Sequence, residues 1–308
     1  MERFKNILFV SSGGKSDMAA LARANRLALS NQARITLVRV IDGLPLAASY
    51  FLSSKRITEL QKASATLAEN ELKRLQRHFD GSLQVTTQVL TGKPFIEVIR
   101  AVNAASHDLI IKPKQTTGED PTLGSDDLHL LRKCPCPIWI INPGQRKPFG
   151  KILIAVDPDP SDPERLRLHA DLVKLGTSLA RDENGKVEVV HAWRLYGETM
   201  LRGPRFKLSD AEINALADNE KATRQQWLDA MVAPYFASNI KVTLVKGQPE
   251  VVLTEIIEKK KPDIVVIGTV ARSGLPGLLI GNTAEYVLSR INSSILTVKP
   301  RGFKSPVF

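Results

Sequence analysis

One short stretch of sequence decides the fold because it occurs twice, as KNILFVSS at residues 5–12 and as GKILIAVD at residues 150–157. Four further segments repeat in the same order. They are ARITLVRV (33–40) with KVEVVHAW (186–193), VLTGKP (89–94) with VKGQP (245–249), HDLII (107–111) with PDIVVI (262–267), and PIWIINP (137–143) with SILTVKP (294–300). The spacing between partners drifts only between 145 and 157 residues. A repeat of this length, kept in order, indicates the duplication of a whole domain.

The repeated segments predict buried strands, because each is a short run rich in Val, Ile and Leu. Amphipathic stretches lie between them, and we expect helices over residues 16–30, 54–79, 94–105, 163–181, 209–236 and 249–260. Strands that alternate with helices predict an α/β fold, here two tandem open parallel five-stranded sheets with helices on both faces, Rossmann-like in kind. Two prolines and a glycine interrupt regular structure in NPGQRKP (142–148), so we expect domains at residues 1–145 and 149–303.

The charge of the chain leaves its partners open. The formal net charge is +11, with 21 Lys+Arg against 13 Asp+Glu in residues 1–147 and 22 against 19 in residues 148–308. A basic excess fits an anionic ligand or a nucleic acid, but it also fits ordinary solvated surface. The charges are scattered, and the sequence has no zinc-finger, helix-turn-helix or RNP-type motif. A polyanion binder acting through the basic first domain therefore remains an alternative only.

The sequence favours a cytoplasmic protein without a membrane span. No apolar run approaches the roughly 18–20 residues that a spanning helix needs. The first apolar run, residues 7–10, ends in Ser-Ser-Gly-Gly, which is typical of a strand and its turn rather than of a signal peptide. The only two cysteines, Cys134 and Cys136, form no disulfide framework, as expected in a reducing compartment.

Ligand-binding residues are expected at the carboxyl ends of the strands, where open parallel sheets bind their ligands. In the second domain Asp157 follows the first strand, and Ala192 lies near the end of the second. The fourth strand runs into a glycine-rich loop, GTVARSGLPGLLIGNTAE (268–285). Its glycines allow close approach of a phosphate to the backbone, and its end opens the last helix. The candidate ligand contacts are Asp157, Ala192, Gly268, Arg272, Gly281, Asn282 and Thr283.

The segment from residue 263 to residue 300 resembles the C-terminal signature of universal stress protein domains. The ATP-binding members of that family carry Gly-x2-Gly-x9-Gly-Ser/Thr. Gly268 and Gly281 match the first and last glycines, Ala271 stands at the middle glycine, and Asn282 stands at the Ser/Thr position with Thr283 next. The resemblance implies that Asp157 lies beside a nucleotide, whereas the residues alone also allow it to cap a turn. We expect ATP or another adenine nucleotide, bound weakly or replaced by another small ligand, in the second domain only, and no metal.

The first domain is predicted to lack an ordinary triphosphate site. Ser12 takes the place of Asp157, and the loop PKQTTGEDPTLGS (113–125) keeps only the final Gly-Ser. Four carboxylates stand near the place where a phosphate would bind, and they are Glu119, Asp120, Asp126 and Asp127. Their negative charge would repel a phosphate group.

The segment HLLRKCPCPIW (129–139) resembles the first domain of the tandem E-type universal stress proteins of Gram-negative bacteria. This resemblance covers nearly the whole chain and implies a non-enzymatic protein that supports survival of growth arrest and damaging stress. A slow ATPase or other nucleotide-processing enzyme is the alternative, although the sequence has no Walker A motif and indicates no catalytic residue.

The two domains are expected to pair as an intramolecular pseudo-dimer, with residues 137–142 and 294–299 near the join; a homo-oligomer is left open. The remaining candidate sites are interpreted as structural or solvated. They are the cysteine pair, His191, the lysines of residues 259–261, and the basic cluster of Arg202, Arg205 and Lys207.

Overall fold

A computed structural model describes residues 4–43, 48–115, 123–144, 148–206, 208–238, 240–269 and 281–307. The chain forms two compact units. The first contains residues 1–147, 269–281 and 288–308, and the second contains residues 148–268 and 282–287. The units therefore divide the chain differently from the sequence repeats, since the last strand of the second repeat belongs to the first unit.

The first repeat alternates strands and helices as predicted. Its strands are β1 (Asn6–Val10), β2 (Arg34–Ile41), β3 (Val85–Thr91), β4 (Leu109–Pro113) and β5 (Ile138–Ile141). Its helices are α1 (Asp17–Asn31), α2 (Ala48–Phe51), α3 (Ser54–Gln76), α4 (Pro94–Ala105) and α5 (Ser125–Lys133). The four-residue helix α2 was not predicted, because a single turn carries no hydrophobic period.

The second repeat has the same order. Its strands are β6 (Lys151–Ala155), β7 (Lys186–Trp193), β8 (Ile240–Lys246), β9 (Ile264–Gly268) and β10 (Ser294–Val298). Its helices are α6 (Pro163–Glu183), α7 (Glu198–Leu201), α8 (Asp210–Val232), α9 (Pro249–Lys260) and α10 (Asn282–Leu288), with a 3-10 turn over Ala233–Ser238. The short helix α7 occupies the same place in the order as α2. The α/β fold class is thus confirmed.

The first unit contains six strands in the order β3-β2-β1-β4-β5-β10. Neighbours are parallel from β3 to β5. Strand β10 runs antiparallel to β5, with Ile295 opposite Ile140 and Thr297 opposite Ile138. The last strands of the two repeats therefore lie side by side, as the sequence predicted. The wider pairing of the two repeats as a pseudo-dimer stays a prediction.

The second unit contains four strands in the order β9-β6-β7-β8, and every pair of neighbours is parallel. Most residues of β6, β7 and β9 are buried, in agreement with strands that are covered on both faces. Within the described ranges, no helix is both long enough and apolar enough to cross a membrane.

The ends of equivalent helices match closely enough to align the two repeats position by position. Helices α1 and α6 end on left-handed residues, Gln32 and Asn184, and α4 and α9 do so on Ser106 and Lys261. Both α4 and α9 are twelve residues long and begin with proline, whose missing N–H is harmless in the first turn. These helix ends and the strand registers pair each residue of one repeat with its equivalent in the other.

A glycine lies two residues before the proline that starts α4 and two residues before the proline that starts α9, and both glycines have a backbone conformation that other residues rarely adopt. Gly92 has φ 145° and Gly247 has φ 156°. The N–H of each donates to the strand beside it, to the carbonyls of Ile41 and Trp193 respectively. A side chain at either position would be strained, so the pattern of glycine followed by proline two residues later marks the same turn in both repeats.

Candidate functional site

Asp157 follows β6 at the carboxyl edge of the second unit, where two histidines contact the same turn. The Asp157 N–H lies 3.4 Å from Nδ1 of His169, which is in α6. Nδ1 of His191, at the end of β7, is 3.0 Å from the carbonyl oxygen of Val156 and 3.8 Å from a carboxylate oxygen of Asp157. These contacts fix the turn that presents the carboxylate.

Two arginines from different helices reach the same carboxylate. Arg165 of α6 forms an ion pair with Asp157 and lies 3.5 Å from Asp159. Arg224 of α8 approaches Asp157 to 3.9 Å. The side chains of Asp157, Arg165 and Arg224 are 28%, 22% and 24% exposed, so this cluster is open to a ligand from solvent. A partly solvated carboxylate flanked by guanidinium groups can accept hydrogen bonds from hydroxyls and can attract phosphate.

The two histidines are buried, and one is held neutral. Burial lowers the pKa of His169 to about 3, and the neighbouring Arg165 and His191 act in the same direction. Its Nδ1 can therefore accept the hydrogen bond from the Asp157 N–H at neutral pH. The hydrogen bond from Ser161 lowers the pKa of Asp159, so that side chain is a carboxylate at neutral pH as well.

The other predicted contacts of the second repeat are distributed along its carboxyl edge. Ala192 is buried on β7, beside Trp193. Asn282 and Thr283 open α10, which has only seven residues, and Gly281 directly precedes it. Arg272, with Ala271 beside it, lies outside the described residues. The structure thus fixes the position of each predicted residue except Arg272.

Gly268 has a packing reason that the sequence did not reveal. It ends β9, and a Cβ atom at this position would lie 3.0 Å from Cδ2 of Leu168 in α6. That distance is tight, so a larger residue would push on the helix. Its φ is not in the left-handed region, so the backbone itself does not require glycine. We conclude that close packing of strand against helix explains Gly268 without a ligand.

The matching turn in the first repeat is closed by its own side chains. Ser12 stands in the position of Asp157, and Asp17 stands in the position of His169. The buried carboxylate of Asp17 accepts hydrogen bonds from the Ser12 N–H at 2.8 Å, from both serine hydroxyls of residues 11 and 12, and from the Gly13 N–H at 3.1 Å. The carboxylate here serves the loop, and it is not presented to solvent.

Arg39 replaces His191 in the first repeat. Its guanidinium donates to the carbonyl oxygen of Ser11 at 3.2 Å, as His191 contacts the carbonyl of Val156. The same guanidinium covers Gly13, where an added Cβ would lie 2.5 Å from it. A long cation therefore lies over the turn of the first repeat, where the second repeat has an imidazole.

The fourth strand of the first repeat contributes a buried ion pair. Lys112 of β4 pairs with Asp127 of α5, and both residues are buried. The second carboxylate oxygen of Asp127 accepts from the Gln115 N–H at 3.3 Å. The matching positions of the second repeat hold Ile267 and Ala284, which carry no charge.

This ion pair corrects the reason given for the absence of a phosphate site in the first repeat. Asp127 does not present a free charge that repels phosphate, because Lys112 neutralises it inside the protein. Of the other three carboxylates, Asp126 is half-buried in the first turn of α5, while Glu119 and Asp120 lie outside the described residues. The expected absence of a phosphate site in the first repeat therefore follows more from its own side chains, which fill this region, than from repulsion of a phosphate by free carboxylates.

Two other candidate groups, the cysteine pair and Arg202, are buried or bound to neighbouring side chains. Cys134 and Cys136 are both buried, as predicted, with their sulfurs 3.6 Å apart. The hydrogen bond between the thiols, together with burial, raises the pKa of Cys136 well above its usual value, so the Cys136 sulfur is not poised as a thiolate. Arg202 is bound to carboxylates of Glu198 and Asp210 at the surface. Among the described residues, no group of three or more His, Cys, Asp or Glu side chains could hold a metal ion.

The arginines beside Asp157 were missed by sequence reasoning. Arg165 could have been found, since it lies in the first turn of α6, close in sequence to Asp157. Arg224 could not, because it lies 67 residues beyond Asp157 in sequence and reaches it only through the packing of α8. His169 offered no local signal either.

Comparison with known proteins agrees with this architecture. The universal stress protein family matches residues 3–142 and again residues 148–299. Universal stress protein E of Salmonella typhi is 30% identical over 314 residues, covering 100% of this chain and 98% of that protein. Universal stress protein E of Escherichia coli strain K12 is 29% identical over the same length and coverage.

Solved structures show the same fold over nearly the whole chain. A universal stress protein from Archaeoglobus fulgidus superposes with a TM-score of 0.62 at 14% identity, covering 96% of this chain and 98% of that one. A functionally unknown protein from Pseudomonas aeruginosa PAO1 superposes with a TM-score of 0.64 at 24% identity, covering 97% and 94%.

Proposed function

Since the chain belongs to the universal stress protein family, we propose that it is a non-enzymatic stress-response protein whose second repeat binds an adenine nucleotide or a related small anion. The first repeat contributes structure and no nucleotide site. We place the protein in the cytoplasm, in keeping with a composition that has only two cysteines.

The observation that carries this proposal is the difference at Asp157. Its carboxylate is partly exposed at the edge where open parallel sheets bind ligands, and Arg165 and Arg224 lie beside it. In the first repeat the equivalent Ser12 and its neighbours are bound to the buried Asp17. A ribose hydroxyl could donate to Asp157, and the arginines could then bind phosphate oxygens.

The weak match to the ATP-binding signature sets the expected affinity. Gly281 matches the signature at the start of α10, but Ala271 and Asn282 depart from it. A missing glycine limits positive φ, and the expected hydroxyl is displaced to Thr283. We therefore expect an affinity for ATP or AMP in the range of tens of micromolar to millimolar, corresponding to about 4–6 kcal/mol of binding free energy.

Calorimetry of the full-length protein with ATP and with AMP tests the proposal. Wild type should bind one nucleotide per chain, and Gly281→Asp should abolish binding because it places a carboxylate in the phosphate path. Gly124→Asp is the matched control, since Gly124 precedes α5 as Gly281 precedes α10, and it should leave binding unchanged. Equal binding by Gly281→Asp and wild type would show that the site is wrong.

Product analysis separates this proposal from the enzymatic alternative. ATP incubated with the protein should be recovered intact, because both carboxylates of the cluster, Asp157 and Asp159, lie against the guanidinium of Arg165. ADP formed by wild type and lost in Asp157→Ala would instead favour a slow ATPase.

A further inference from the structure

A second cleft lies at the opposite edge of the second unit, at the amino ends of β6, β7 and β8 and the carboxyl end of α9. Its volume is about 480 Å³, within the range of small-molecule sites. Five lysines and one carboxylate are among the residues that line it, and they are Lys151, Lys186, Lys241, Lys259, Lys260 and Glu188. From the sequence alone, the lysines of residues 259–261 are expected to form only a solvated helix end.

The single carboxylate of the cleft is already satisfied. Glu188 pairs with Lys260, accepts a hydrogen bond from Thr243, and lies 4.0 Å from Lys241. Although burial alone would raise the pKa of Glu188, the hydrogen bonds from Lys260 and Thr243 hold it below its usual value. Glu188 therefore neutralises little beyond its own partner, and the cleft keeps a large positive excess.

Two of the lysines have no partner of their own within the described part of the chain. The side chains of Lys186 and Lys259 form no hydrogen bond or ion pair with any other described residue. Lys151 differs, because its Nζ donates to the Lys260 carbonyl oxygen at 3.4 Å. Nearby Asp263 is also engaged, since it accepts from the Lys151 N–H at 2.8 Å. A cleft lined by five lysines, two of which have no carboxylate partner among the described residues, suits a ligand with negative charge.

The matching edge of the first repeat shows that the fold does not require these lysines. Strand register and helix ends pair the six charged positions with Asn6, Arg34, Thr86, Ala104, Ala105 and Thr36. Only one of these residues is a cation. Helix α4 has the same length and the same left-handed end as α9, yet its last turn contains no basic residue. Stabilising the helix end is thus not a sufficient reason for the lysine cluster.

We propose that this amino-edge cleft binds a small organic phosphate, an anion that carries an apolar group. Lysine acts as a point charge toward phosphate, and several ammonium groups favour a dianion over a monoanion. The cleft is also lined by Ile240 and Pro262, which offer apolar contact to the organic part of the ligand. The site is separate from the carboxyl edge that carries Asp157 and goes beyond the nucleotide-binding role.

Ligand-observed NMR and calorimetry on the full-length protein at low salt test this, with phenyl phosphate and inorganic phosphate as probes. Phenyl phosphate should bind with millimolar affinity or better, and about tenfold more tightly than inorganic phosphate because its ring covers apolar surface. The double variant Lys186→Gln, Lys259→Gln should weaken phenyl phosphate binding by about fivefold or more.

The control variant Lys62→Gln, Lys73→Gln removes the same charge from the exposed face of α3 and should leave binding unchanged. Gly281→Asp should also leave it unchanged, so failure of the nucleotide proposal is distinguishable from failure of this one. Absence of phenyl phosphate binding at millimolar concentration, or an equal loss in the Lys62/Lys73 control, would overturn the proposal. Binding of a single-stranded oligonucleotide alone, weakened by the Lys186/Lys259 change, would overturn it in favour of a nucleic-acid surface.

Discussion

The two repeats build the same turn after their first strand with opposite chemistry. In the first repeat Asp17 is buried and gathers the N–H and hydroxyl groups of residues 11–13. In the second, the equivalent His169 is neutral and accepts one N–H, while the acidic group has moved to Asp157, where it is partly exposed. In both copies a residue of the following helix thus accepts a hydrogen bond from this turn, but only the second copy has a partly exposed carboxylate there.

The fourth strand and the helix that follows it show the same division. The first repeat places a buried Lys112–Asp127 pair between them, where the second has Ile267 and Ala284. A buried ion pair is costly to break, because the remaining charge loses its partner, yet replacing both members by apolar groups can be nearly neutral. This difference gives the largest effect that we expect from a single residue.

Asp127→Ala should lower the free energy of unfolding by about 3–5 kcal/mol, since it leaves the Lys112 ammonium buried without its carboxylate. The double variant Lys112→Ile, Asp127→Ala gives the first repeat the residues of the second and should recover most of that loss. Urea unfolding followed by circular dichroism measures both. A double variant no more stable than Asp127→Ala would show that the pair does more than neutralise itself.

The neutral histidine of the second repeat should make stability depend on pH. Its pKa is about 3 in the folded protein and ordinary in the unfolded chain, so the unfolded state binds more protons below about pH 6.5. The contribution of His169 to the free energy of unfolding should be fully present above that pH. It should fall by about 2 kcal/mol by pH 5.

Unfolding curves of His169→Gln at several pH values check this. The variant should lose less stability than wild type between pH 7 and pH 5. Burial also lowers the pKa of His107 in the first repeat, so His107→Gln provides a comparison in which the same sign of change is expected. An unchanged pH dependence in His169→Gln would mean that the imidazole is already solvated.

Gly268→Ala should have the smallest effect, about 1 kcal/mol of destabilisation, because the new Cβ pushes on Leu168. The first repeat has Pro113 at this position and tolerates a side chain there. Thermal unfolding with and without ATP separates packing from binding. Loss of nucleotide binding without any loss of stability would indicate that Gly268 contacts the ligand, as the sequence motif predicts.

The sequence predicted the elements well because each repeat carries a strong local pattern. The runs at residues 7–10 and 152–156 alternate with long amphipathic stretches, and Pro94 and Pro249 mark helix starts to the residue. Local patterns also predicted that Asp157 directly follows a strand and that Asn282 opens the last helix, and both positions agree with the structure. Their role as ligand contacts stays a prediction.

The contacts that distinguish the repeats were less predictable, because they join distant parts of the chain. Nothing near Asp127 indicates that Lys112 will neutralise it, and nothing near Asp157 indicates that Arg224 will approach it. The five lysines of the amino-edge cleft are likewise spread over residues 151–260 and meet only after folding.

Hydrogen exchange measured by mass spectrometry, with and without ATP, tests the central claim most directly, because it reads both repeats in one experiment. We predict slower exchange on ATP binding in peptides covering residues 156–162 and 191–195, and no change in residues 11–16 and 39–43. Protection of residues 11–16 would contradict it, since the loop that Asp17 closes would then be the nucleotide site.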